Sequence, residues 1–111
     1  MTDASHTVGG WLATREPAPP QPLHERIVRA LGAAGDRHTA ETGSVCLDAA
    51  ERVLARLLGK GRGERDDAAD LLAADALVTY ALEFAASAPD RFEETATTAI
   101  ERFGQLVQEK Q

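Results

Sequence analysis

Asp75 is the residue of this chain whose setting most invites chemistry. It lies in the stretch Asp67 to Ser87, which reads as one long helix, apolar almost all the way round. At 100° per residue Ala68, Leu71, Leu72, Val78, Leu82, Ala85 and Ala86 share one face, and Asp75 points into it. Ala73, Leu77, Tyr80 and Phe84 occupy much of the opposite face. A helix apolar on both sides is expected to be covered on both sides, which would bury Asp75. A buried carboxylate is costly unless it is paired or hydrogen-bonded. One expected role is therefore a structural ion pair with Arg29, Arg52 or Arg56, or a bond to the Thr79 hydroxyl. The other is a ligand-facing acid whose pKa burial perturbs.

Other chemistry is thinly supplied. His6, His24 and His38 lie in or near the N-terminal third, and none follows a glutamate by three positions as a di-iron bundle requires. No G-x-S-x-G elbow marks a nucleophile. Cys46 is the single cysteine, which rules out an intrachain disulfide or a cysteine metal cage. On the apolar side of its helix it is expected to serve as a small hydrophobe. Gly59-Lys60-Gly61-Arg62-Gly63 is glycine-rich and basic, but it has no strand before it and no GK[ST] at its end, so it reads as a helix stop and turn rather than a phosphate cradle.

The acids also form a set. Asp48 and Glu51 stand at i,i+3; Glu64 and Asp67 repeat that spacing; Asp75-Ala-Leu-Val-Thr-Tyr80 follows. Over Asp48 to about Ala86 this pattern resembles the all-α nucleoside triphosphate pyrophosphohydrolases of the MazG type. Their E-x-x-E helix is followed by a short spacer and an E-x-x-D leading into an apolar, tyrosine-containing helix. The resemblance implies magnesium held by Asp48, Glu51, Glu64 and Asp67, with the ion gripping a triphosphate. Two departures weaken that implication: Asp48 replaces the family's glutamate, and taking Asp75 as the last acid puts Leu72 where a glutamate belongs.

These residues need helices to carry them. The 111 residues, 43% hydrophobic and 27% charged, fit one soluble domain. Twenty-one alanines and few β-branched residues favour helix. The expected architecture is all-α: an up-down bundle of four helices, residues 22–111, preceded by a proline-rich N-terminal arm, residues 1–21. In the arm, Met1–Gly10 is expected to fray, Val8, Trp11 and Leu12 to cluster, and the prolines at 17, 19, 20 and 22 to hold an extended segment. Trp11 and Leu12 either strap back over the bundle or dock a partner.

Helices are expected from about Pro22 to Leu31, Thr42 or Ser44 to Leu58, Asp67 to Ser87, and Pro89 to Gln108. Asp36–Gly43 is either a loop or an extra turn. The third long helix is expected to be central. Ser87-Ala88-Pro89-Asp90 carries a capping-box pattern for the fourth. Gly104 inside that helix suggests close passage of another backbone.

A net charge of −6 argues against nucleic acid and against anionic membranes. No run approaches the ~20 apolar residues that span a bilayer, and the N-terminus has no signal-peptide pattern. A cytoplasmic protein of a GC-rich bacterium is the expected setting. The expected function is non-catalytic protein–protein contact, with a protein partner or with itself as a homodimer, and no cofactor; Trp11, Leu12 and Asp75 are the candidate binding residues. The alternative is the magnesium-dependent hydrolase, active or degenerate.

Overall fold

In the computed structural model, residues 6–60, 65–87 and 89–109 are described, and their regular structure is helical. Five α-helices follow one another: α1 (Val8–Ala13), α2 (Gln21–Leu31), α3 (Thr42–Lys60), α4 (Arg65–Ala85) and α5 (Pro89–Glu109). Two 3-10 turns, Gly32–Asp36 and Thr39–Glu41, fill the connection from α2 to α3. The ambiguous segment 36–43 is thus largely extra turns. Met1–Ser5, the Gly61–Gly63 part of the glycine loop, Glu64 and Ala88 lie outside the described residues.

The local reasons are plain in the sequence. α2 opens with Pro22 in its first turn, where a missing N–H costs nothing, and ends at Gly32, whose φ of 55° suits a residue without a Cβ. α1 begins where fraying was expected. Thr7 caps it, its side chain accepting from the Gly10 N–H at 3.0 Å. The Val8 N–H donates to the Arg37 carbonyl at 2.9 Å, and Thr7 bridges to His38. Val8 is fully buried. Gly9 suits this close approach: a Cβ would sit a tight 3.3 Å from the Gly35 carbonyl oxygen. The Ser87 hydroxyl donates back to the Phe84 carbonyl at 3.0 Å, and the rest of the expected capping pattern, Asp90 included, is not among the described side chains.

The core gathers on α3 and α4, which share the most extensive helix–helix contact, while α2 and α5 each touch both. α3 contributes Val45, Cys46, Leu47 and Val53. Its Ala49 and Ala50, with Ala73, Ala74 and Ala81 of α4, are buried to within 1% of completely. Alanine on both helices lets backbones approach closely, and Leu77, also fully buried, is the largest side chain in the middle.

The enclosure expected of the third long helix is only half realised. α4 is covered along Ala73, Ala74, Leu77, Ala81 and Ala85, but Leu71 and Leu72 remain 54% and 60% exposed. Asp75, between them on the wheel, is exposed too. The reason is that small residues define the buried stripe: alanine permits the close α3–α4 approach, and the bulkier leucines fall outside it. Gly104 likewise has nothing within 4 Å of its Cβ position among the described residues, so none of their backbone passes it closely.

Candidate functional site

Asp75 does not face an arginine inside the bundle. Its carboxylate is exposed, and its backbone carbonyl accepts from the Thr79 hydroxyl at 3.0 Å. An acid that does knit these helices together is Asp70, five residues earlier. Arg26 of α2 reaches one oxygen at 2.8 Å and Arg56 of α3 the other at 2.9 Å. Arg52 is occupied elsewhere, donating to the Ala30 carbonyl near the end of α2 at 3.0 Å. One carboxylate thereby ties α2, α3 and α4 together, the structural role expected of Asp75.

Asp48 and Glu51 of α3 do come together, on a cation from this chain. The Arg102 guanidinium of α5 donates to Asp48 at 2.7 Å and also contacts Glu51. The Asp48 bond raises the Arg102 pKa, desolvation opposes it, and Glu51 adds to the rise. Asp67 is buried near the start of α4, and Glu64 falls outside the described residues. Among the described residues no group of three His, Cys, Asp or Glu side chains is placed to hold a metal ion.

Trp11 and Leu12 are turned onto the helical body. Trp11 meets Phe84 of α4 edge-on, with centroids 5.4 Å apart and ring planes at 84°, and the Arg15 guanidinium lies over its ring, 4.0 Å from the centroid. Leu12 packs against the core. Cys46 is buried, and burial pushes its thiol up to about 12, so it is an inert packing group at neutral pH. The Tyr80 pKa is raised as well, first by desolvation and then by Glu83.

What stands open is apolar. Leu71 and Leu72 on α4, and Phe92, Ile100 and Val107 on α5, carry exposures from 42% to 73%. α5 buries Ala99 and Leu106 and leaves the bulkier half of its stripe uncovered. Scattered exposed hydrophobes are normal on a monomer, and Val28 on α2 and Leu58 on α3 are open too, at 52% and 40%; five of these seven among the described residues nevertheless lie on two consecutive helices, a concentration of the kind that marks contact surfaces. No residue-spacing rule foretold this: apolar periodicity says which positions want cover, and only the packing of the chain says which positions get it.

No protein-family model, curated protein or solved structure matches the chain.

Proposed function

We propose that this is a non-catalytic helical protein that works by protein–protein contact, using the open face of α4 and α5. The carrying observation is the exposure of Leu72 and Ile100, 60% and 73%, on neighbouring helices whose other faces are well packed. In this reading α2 to α5 act as an up-down bundle of four, and residues 1–21 form an arm that braces α4 through Trp11. The partner is another protein or a second copy of the chain, in a bacterial cytoplasm. The magnesium-hydrolase alternative draws little support from the geometry, because an ion at Asp48 and Glu51 would have to displace Arg102.

The test is site-specific photocrosslinking in producing cells, with benzoylphenylalanine placed at position 100 and, as control, at position 25 on α2. A discrete adduct from position 100, absent from position 25 and lost on adding Leu72→Glu, is expected. The same products from both positions, or none from position 100, would overturn the proposal.

A further inference from the structure

The two open stripes belong to one surface. Only residues 86–88 separate α4 from α5 and the two helices touch, the arrangement in which short connections leave antiparallel neighbours. Around α5 in 100° steps, Arg102 faces α3, Leu106 and Ala99 are buried, and then Phe103, Val107 and Ile100 move into solvent. Around α4, Ala81 and Ala85 are buried, and Leu71, Asp75 and Leu72 move out in that order. In antiparallel neighbours these two progressions leave the junction on the same side, away from α3. From Phe92 to Val107 the stripe runs about 22 Å, four turns of helix. Gly104 leaves a low point in it, since a Cβ there would meet nothing within 4 Å.

The rim of this surface is acidic. α4 and α5 together hold ten acids and three arginines, whereas the chain as a whole has eighteen acids and twelve basic residues. Asp75, Glu83, Glu93 and Glu101 on these helices are exposed. Among their described side chains the one cation is Arg102, and it is spent on Asp48 and Glu51 across the α3 seam. The acidic excess therefore lies on the two helices that carry five of the seven exposed large hydrophobes among the described residues.

Resting on the contact function proposed above, we infer that the occupant is a single amphipathic helix from another protein, with an apolar ridge flanked by lysine or arginine. Such a helix lays its ridge between α4 and α5 and sets its cations against Asp75 and Glu93. A second copy fits worse. A two-fold contact brings the same patch against itself and sets acid rim against acid rim. An anionic membrane surface is repelled by the same charges.

The probe is a synthetic helical peptide of about 18 residues, leucine at i, i+3, i+4 and i+7 with lysine flanks, and its twin with glutamate flanks. Binding to the full chain is followed by fluorescence anisotropy, with circular dichroism confirming that each variant is folded. The lysine peptide should bind at least about tenfold tighter than the twin and weaken as salt rises from about 50 to about 300 mM. Ile100→Ser or Leu71→Ser should each cost at least about tenfold. Asp75→Asn with Glu93→Gln should flatten the salt dependence, while Glu25→Gln with Glu41→Gln leaves it unchanged. Equal binding of the two peptides, or equal effects from the two acid pairs, would overturn the inference. Ile100-dependent self-association in sedimentation, or Ile100-dependent binding to phosphatidylcholine vesicles, would also overturn it. Self-association would leave the contact function standing; peptide silence together with no photocrosslink at position 100 would remove both.

Discussion

Leu77 and Leu72 are the same residue type on the same helix, five positions apart, yet one is fully buried and the other 60% exposed. Truncating each to alanine is a direct comparison of cover. For Leu77→Ala the lost transfer energy and the cavity left among Ala49, Ala50 and their neighbours together cost about 3–5 kcal/mol. That is a large share of the roughly 5–15 kcal/mol that holds a domain folded. For Leu72→Ala only the covered part of the side chain counts, and alanine's better helix propensity returns a few tenths of a kcal/mol. The net cost is under about 1 kcal/mol. With a urea slope of about 1.5 kcal/mol per molar, the unfolding midpoints followed at 222 nm should fall by roughly 2–3 M and by less than roughly 0.7 M. The measurement belongs at micromolar protein, where a weak second copy would not cover Leu72. Equal losses for the two variants would refute the reasoning, because Leu72 would then be as enclosed as Leu77.

Two further outcomes follow from the polar and titratable groups. Arg102→Ala leaves Asp48 and Glu51 without their shared cation across the α3–α5 seam. With Arg102 and Glu51 about a third exposed and Asp48 nearly half exposed, the loss is about 1 kcal/mol. Amide exchange in α5 should rise about fivefold while α3 is unchanged, and equal acceleration of both helices would contradict this local role. Cys46 keeps its proton in the folded chain up to about 12, while the unfolded thiol loses it near 9.0. Between those values the unfolded state binds fewer protons, so stability from this group is intact below about pH 9 and falls as pH rises towards about 12. The slope is at most about 1.4 kcal/mol per pH unit. Urea midpoints across that window should fall more steeply for the native chain than for Cys46→Ala, and parallel slopes would contradict it.

Helix positions were largely legible in the sequence because each long helix carries a strong local stop or start. Pro22, Gly32 and Pro89 lie within a residue of observed boundaries. α1 was hidden by Gly9 and Gly10, which look like chain flexibility. The available signal was Thr7 as a cap before Val8, Trp11 and Leu12 at i, i+3 and i+4. Asp75 misled for a different reason. Hydrophobicity marks Leu71 and Leu72 as wanting cover, yet alanine size decides which face can nest against α3, and a wheel does not weigh size. Asp70 escaped notice because its partners are 44 and 14 residues away along the chain, a pairing that only tertiary placement creates. The acid spacing of Asp48 and Glu51 was real as geometry, but the group that meets it comes from Arg102, 54 residues beyond Asp48.

The proposed contact function requires the α4–α5 face to be bare in the isolated chain. Methyl relaxation by a soluble nitroxide reads this directly, residue by residue. The Ile100, Leu72 and Val107 methyls should relax strongly while Leu77 and Val45 stay protected; Ile100 and Leu72 protected to the level of Leu77 in dilute, monomeric protein would contradict it.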